Sequence, residues 1–356
     1  MLTAARVKQR ALDLGFDLCG IAAADTYPEL RFLDEWLGRG YGAGMDWLRQ
    51  TADRRADVRA VLPGARSVVV TGALYNSRSS DSRSCGPSVP PSDPPATATI
   101  ARYAWGDDYH LVLQRRLDAL VGWMQDESPQ PFEARAYVDG GPVQERVYAQ
   151  YAGLGWIGKN TCLINRDLGS LFFLSEIICT LPLEADTQAL EQCGSCTRCL
   201  DACPTGALVE AGVLDAGRCI SYLTIENRGA IDEALRPALG SHVYGCDICQ
   251  TVCPYNEAAP RSADPAWQPR PGLHLPRLID LWARSDEELA AMTRPTAMTR
   301  AKLTGLRRNL AVAIGNSGDA DAVAALVVPF ADRPSVEDPM VQEHVEWAVA
   351  RNRELP

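Results

Sequence analysis

The 356-residue sequence predicts a multidomain α+β chain: an α/β layer domain, then a ferredoxin-like cysteine module, then a C-terminal HEAT-like helical repeat. Three observations predict it. Strand-like and helical stretches alternate up to about residue 180. Eight of the twelve cysteines crowd between Cys193 and Cys253. Beyond a Pro-rich linker, amphipathic helices follow one another across short Gly-Asp turns. The expected boundaries are 1–180, 181–258 and 259–356.

Residues 1 to about 60 read as mostly helical, with apolar spacing at Ala5, Leu12 and Leu14 and again at Leu30, Leu33, Trp36 and Leu37. Ser67 to Thr71 is β-branched and bounded by turn residues, which predicts a buried strand. Between Ser77 and Ala98 the composition is almost all Ser, Pro, Asp, Arg and Gly, which predicts a mobile surface loop. Tyr109 to Trp123 has helical spacing, Arg135 to Val138 reads as a short strand, and Val143 to Leu154 as a helix with Pro142 at its first position. Leu171 to Leu174 is β-like. In the tail, residues 305–316, 319–330 and 340–351 read as three helices.

Cys193, Cys196, Cys199 and Cys203, followed by Pro204, form the C-x2-C-x2-C-x3-C-P run that holds [4Fe–4S] cubes in bacterial ferredoxins. Cys246, Cys249 and Cys253 before Pro254 repeat it one ligand short. Val243 stands where that ligand would be, and Cys219 is the substitute. In such runs the fourth Cys reaches the other cluster. One cube therefore falls to Cys193, Cys196, Cys199 and Cys253, the other to Cys203, Cys219, Cys246 and Cys249. Zinc closes with four ligands and explains neither the third Cys nor the Cys-Pro ends.

Composition narrows the setting. No apolar run approaches bilayer length, so no membrane span is expected. No charged n-region opens the chain, and disulfides would need an oxidising compartment, so the expected location is the cytoplasm. A net charge of −10 argues against indiscriminate nucleic-acid binding, although a local basic face remains open.

Four further features bear on chemistry. Asp139 follows a strand and precedes Gly140, Gly141 and Pro142. It is either a helix cap or a pocket carboxyl, its pKa raised by desolvation so that it can donate a proton, with the glycines admitting a bulky cofactor. Gly158-Lys159-Asn160-Thr161 lacks the phosphate-loop spacing, which rejects a nucleoside triphosphatase. Asp108-Tyr109-His110 begins a D-x-H-x-x-G cobalt-ligand pattern that fails at Leu113, leaving His110 as a helix or surface histidine. Arg294, Arg300, Lys302, Arg307 and Arg308 lie in an acid-free stretch that reads either as a solvated face or as a phosphate contact.

With these residues in view, the chain resembles the epoxyqueuosine reductases, which act on the queuosine base of tRNA. The resemblance rests on Arg55-x-Asp57-x-Arg59, Arg102-Tyr103-Ala104-Trp105-Gly106-x-Asp108-Tyr109-His110 and Val138-Asp139-x-Gly141-Pro142. It continues through Gly153 to Asn160, Cys219 to Glu226 and Tyr244 to Pro254. It departs at the Ser/Pro-rich insertion and at Val58. The resemblance implies an N-terminal cobalamin domain without a cobalt-ligating histidine, two clusters that feed it electrons, a tail that helps bind tRNA, and Asp139 as proton donor. Its motifs put Arg55, Arg102, Tyr103, Asp139, Lys159, Asn160 and Ser221 at the cobalamin. With the tail at tRNA, the basic residues expected to contact it are Arg228, Arg300, Lys302, Arg307 and Arg308. The implied protein is a monomer served by an external electron donor.

Two other classes stand beside this one. A cobalamin enzyme reducing a small molecule, in the manner of a dehalogenase, would not need the basic tail. An iron–sulfur electron carrier would need neither the large first domain nor Asp139. A cobalamin absorption spectrum and a tRNA shift assay separate the three. For the clusters themselves, anaerobically purified protein should carry close to eight iron atoms per chain. Cys219→Ala should lose one cube and keep the other. Retention of both cubes would remove Cys219 from the ligand set.

Overall fold

The computed structural model describes residues 2–77, 96–328 and 332–353. The loop expected from Ser77 to Ala98 therefore lies almost wholly outside the described residues. Four strands form the main sheet: β1 (Leu18–Ala23), β2 (Ser67–Leu74), β3 (Ala134–Tyr137) and β4 (Phe172–Cys179). Their order is β1-β2-β4-β3, and every neighbouring pair is antiparallel. The first domain is thus α+β, its alternating strands and helices notwithstanding.

β2 and β4 are central, and both are buried along nearly their whole length. That is why they read as near-continuous apolar runs. β1 was not expected. Leu18–Ala23 holds Gly20 and two alanines, residues of low strand propensity. Gly20 is needed there because a Cβ would lie 2.0 Å from the Ala152 carbonyl oxygen.

Helices cover both faces of the sheet. α1 (Ala4–Asp13) and α2 (Tyr109–Glu127) pack with Val69, Phe173 and Ile177 on one face. α3 (Glu145–Tyr151) packs through Val147, Tyr148 and Ala149 against Val68, Val70 and Ile178 on the other. α3 starts two residues later than expected: Gln144 is its N-cap, so Pro142 lies outside the helix.

The cores do not follow the linear division at residues 180 and 258. Trp267, from the Pro-rich linker, packs at a tilt against Phe173, ring centroids 4.9 Å apart, inside the first core. Ala98, Ile100 and Ala104 belong to the C-terminal core, and the short strand Thr99–Ile100 pairs in parallel with His242–Tyr244. At the C-terminus, α4 (Leu278–Ala283), α5 (Lys302–Ser317) and α6 (Pro339–Arg353) pack together, with α5 in the middle. The second tail helix is shorter than expected, spanning Ala320–Ala325 behind an Asp319 cap.

α5 corrects one expectation. From Gly305 to Gly315 it is buried on all sides, and Arg307 and Arg308 are 0 % exposed. Arg307 donates to the carbonyls of Trp282 (2.8 Å) and Arg284 (2.6 Å) and pairs with Asp286 at 3.0 Å. Arg308 donates to the carbonyls of Leu223, Asn227 and Gly229, and Asn309 bonds those of Thr224 and Val243. These arginines are closed off from solvent, so neither forms a solvated face. A guanidinium can be buried here because loop carbonyls, themselves short of partners, solvate it. Arg308→Ala should lower stability by about 3 kcal/mol, since it leaves several buried carbonyls unpaired, with Arg307→Ala close behind; denaturant unfolding checks this, and an unchanged midpoint would return the pair to the surface.

Candidate active site between the sheet and the cysteine module

Where β4 begins, the sheet domain and the cysteine module enclose a cavity of about 420 Å³. Tyr75, Tyr103, Tyr109, Phe172 and Phe173 supply an aromatic wall. Cys203, Cys219, Cys246 and Cys249 stand on the wall contributed by the cysteine module. Asp139, Glu145, Asn160 and Ser221 add the polar groups.

Asp139 sits in the connection from β3 to α3 at φ +57°, with Gly140 N–H closing a tight turn onto the Val138 carbonyl at 2.6 Å. A non-glycine residue there is strained, by about 1–3 kcal/mol, so its surroundings must hold it. Three contacts do. Arg55 donates to the carbonyls of Gly141 (3.0 Å) and Val143 (2.8 Å), and the Asp139 N–H donates to Glu145 Oε1 at 2.8 Å. Gly141 is required by the fold, because a Cβ would lie 2.6 Å from the Tyr137 ring.

The carboxyl of Asp139 is 61 % exposed, and the space it meets is the cavity. Tyr109 O–H donates to it at 2.6 Å, and His110 Nε2 lies 3.7 Å away. Enclosure pushes the carboxyl's pKa up, but the bonds to His110 and Tyr109 outweigh it and hold it below its ordinary value. The raised pKa expected for this group is therefore corrected. The proton sits next door. Burial pulls His110 down, yet Asp108 (2.7 Å to Nδ1) and Asp139 carry it up to about 9. With both ring nitrogens facing carboxylates, His110 offers none to a metal.

The cysteines fall into two groups. Cys253 lies within electrostatic reach of Cys193, Cys196 and Cys199, and Cys246 senses Cys219 and Cys203; Cys249 is hydrogen-bonded to Cys162 of the sheet domain and beyond it senses Cys246 and Cys219. Trp156 Nε1 donates to Cys193 Sγ at 3.5 Å and the Ala207 N–H to Cys203 Sγ at 3.3 Å. Both are the donor contacts that thiolate sulfur accepts. Among the described residues no His, Cys, Asp or Glu group closes tightly enough to hold a single ion.

The residues expected at the cofactor divide. Tyr103, Asp139, Asn160 and Ser221 line the cavity. Arg55, Arg102 and Lys159 stand behind its wall, because backbone carbonyls and amides have claimed their charged ends. Arg55 holds the Asp139 loop. Lys159 Nζ donates to the carbonyls of Gly194 (2.6 Å) and Cys196 (3.0 Å), pinning the cysteine loop. Arg102 donates to Asn76 at 2.6 Å and lines a second, smaller cavity with Asp247. Of the basic residues, Arg228, Arg300 and Lys302 remain exposed; Arg300 pairs with Glu226 at 2.7 and 2.8 Å, within the field of Asp139. Sequence reasoning missed Tyr109, Glu145 and Glu176 and set His110 aside. The one available signal was an acid, Glu176, inside an otherwise apolar run.

An acid-bearing cavity backed by ferredoxin-type cysteines defines the class as an iron–sulfur oxidoreductase. Comparison with known proteins narrows it. A family model described as "4Fe-4S double cluster binding domain" matches residues 192–256, and one described as "Epoxyqueuosine reductase QueG, DUF1730" matches residues 55–140. An epoxyqueuosine reductase of Xanthomonas campestris is 40 % identical over 98 % of this chain and 96 % of its own. A crystal structure of epoxyqueuosine reductase with an epoxyqueuosine-modified tRNA-Tyr stem loop superposes with TM-score 0.86 at 31 % identity, covering 98 % of this chain and 89 % of that one. A Bacillus subtilis epoxyqueuosine reductase, captured with its catalytic aspartate loop swung out of the active site, gives 0.84 at 31 % identity, over 98 % and 90 %. The chain belongs to the epoxyqueuosine reductase family.

The His110 arrangement predicts a pH dependence. Its folded pKa lies above the unfolded 6.5, so its stabilisation is complete below pH 6.5 and is lost as pH rises through about 9. The melting temperature should fall across that window, and His110→Asn should flatten the fall. A slope unchanged in the variant would contradict the Asp108–His110–Asp139 linkage.

Proposed function

We propose that this chain reduces epoxyqueuosine to queuosine at the wobble position of tRNA anticodons, as the two-electron, two-proton removal of an epoxide oxygen as water. The observation that carries the reading is the cavity: Asp139 on its wall with the proton partner His110 behind it, and the four thiols of the cysteine module on the wall that the module contributes. Cys193, Cys196, Cys199 and Cys253 hold one [4Fe–4S] cube, and Cys203, Cys219, Cys246 and Cys249 hold the second, at the cavity. Two thiol groups, each with N–H donors aimed at sulfur, fit that role. The aromatic floor and the absence of a free His110 nitrogen suit a flat corrin bound without a histidine ligand. When bound, cobalamin supplies the low-potential centre at which the carbon–oxygen bond is reduced.

The chain's own residues manage the proton. Asp139 and His110 share one proton, and a departing alkoxide is basic enough to draw it through Asp139. Tyr109 and Arg55 hold the carboxyl where that oxygen must leave. Tyr103, Asn160 and Ser221 line the cofactor's space. Arg228, Arg300 and Lys302 are exposed, Arg300 within the field of Asp139, and they are the candidate phosphate contacts. The C-terminal helices form the HEAT-like support behind them. A wobble base lies in a single-stranded loop, so it can be turned out into such a pocket. The protein acts as a cytoplasmic monomer on electrons from an external donor. Among the described residues no helix is long and apolar enough to cross a membrane.

Asp139→Asn tests the reading. It keeps the shape and removes the acid. Folding, clusters and cobalamin binding should persist while single-turnover conversion of epoxyqueuosine-containing tRNA falls by about 10²–10⁴-fold. Near-normal conversion would end the general-acid role.

A further inference from the structure

Behind Asp139 stand two acids that the reaction as described does not use. Glu176 lies mid-strand in β4, 0 % exposed, and no donor group reaches its carboxyl oxygens among the described residues; the group within hydrogen-bonding reach is the carboxyl of Glu145. Glu145, the first residue of α3, lines the cavity and accepts the Asp139 N–H through Oε1. The two carboxyls are close neighbours, and Asp139 adds a third negative charge to their field.

Arg55 and Arg146 attract the pair from a distance, but no cation forms an ion pair with either carboxyl among the described residues. The groups that face it are Arg55, Arg146, Tyr109 and Asp139. Arg55 spends its donors on Thr51, Gly141 and Val143, and Arg146 donates to the Thr161 carbonyl. Two adjacent carboxylates without an ion pair cannot both ionise in a site sheltered from water. One proton must stay, and a shared proton would also satisfy the oxygens of Glu176.

We propose that Glu145 and Glu176 form a proton-storing pair that restocks the Asp139–His110 couple through the cavity and so supplies the second of the two protons with which the oxygen leaves as water. The inference rests on the reductase reading. In the step, the Glu145 O–H bond breaks and an O–H or N–H bond forms on the couple; no electron moves. Water returns a proton to the pair once product has left. Geometry gives the path: Glu145 lines the cavity and touches the Asp139 backbone. Burial lifts Glu145 to about 7 and Glu176 well above the carboxylate range, and His110 lies higher than Glu145, at about 9.

A purely structural role for Glu145 is the pinning of the Asp139 N–H, which Glu145→Gln preserves because the amide oxygen still accepts. Glu176→Gln removes the like charge and lets Glu145 ionise at neutral pH. The infrared carbonyl stretch of protonated carboxyl should persist in the wild-type holoenzyme up to about pH 7 and be lost there in Glu176→Gln. Turnover of epoxyqueuosine-containing tRNA should drop at least about tenfold at pH 7.5 in Glu145→Gln. In Glu176→Gln the alkaline fall in turnover should move down by a unit or more, with recovery at lower pH. Absence of the protonated signal in the wild type overturns the proposal. So does a wild-type pH profile in both variants. If Glu176→Gln does not fold, Glu145→Gln on the cavity wall decides alone. A wild type that holds the signal yet converts no tRNA sinks the reductase reading, and the delivery step with it, while the stored proton stands.

Discussion

The buried guanidinium of Arg55 fixes where the acid of this site can stand. By bonding the carbonyls of Gly141 and Val143 it holds the turn on which Asp139 adopts φ +57°. Glu145 completes the clamp from the first turn of α3. Removing an epoxide oxygen needs electrons and protons at one substrate atom, and the protons must not be reduced on the way. The cavity meets that demand by separation: the thiols of the cysteine module line the part the module contributes, and Asp139, backed by His110, lines the part the sheet domain contributes. The strain at Asp139 means that the clamp, and not local preference, sets its position.

The same economy recurs at the C-terminus. Arg308 and Asn309 of α5 bond carbonyls in the segment after Cys219 and in the strand before Cys246. The helical tail therefore supports the frame of the second thiol group directly. Lys159 does the corresponding work from the sheet domain, pinning the loop that carries Cys193 and Cys196. Charged side chains that look like ligand contacts in a sequence serve here as internal fasteners. A long cationic side chain can satisfy several backbone carbonyls at once, and loops around a cofactor leave many carbonyls unpaired.

Much of this was legible in the residues. The cysteine spacing named the module, because a cube dictates where its thiols fall along the chain. The central strands and the long helices α2, α5 and α6 were legible from apolar periodicity. β1 was not, since Gly20 and its alanines carry no strand signal and the strand exists through packing. Burial of Arg307 and Arg308 was equally hidden, because an acid-free basic stretch reads the same whether water or carbonyls surround it. Asp139 was found by its motif, but its charge state was misjudged. That depends on His110 and Tyr109, whose side chains only the fold brings to it.

The central claim is that Asp139 meets the oxygen that leaves. An anaerobic structure of the cobalamin-bound protein with an epoxyqueuosine-containing anticodon stem loop tests it most directly. The account predicts the epoxide oxygen within hydrogen-bond reach of the Asp139 carboxyl, about 2.6–3.2 Å, with the cofactor between it and the wall of Cys203, Cys219, Cys246 and Cys249. An epoxide oxygen held by another donor, with Asp139 out of reach, would contradict it.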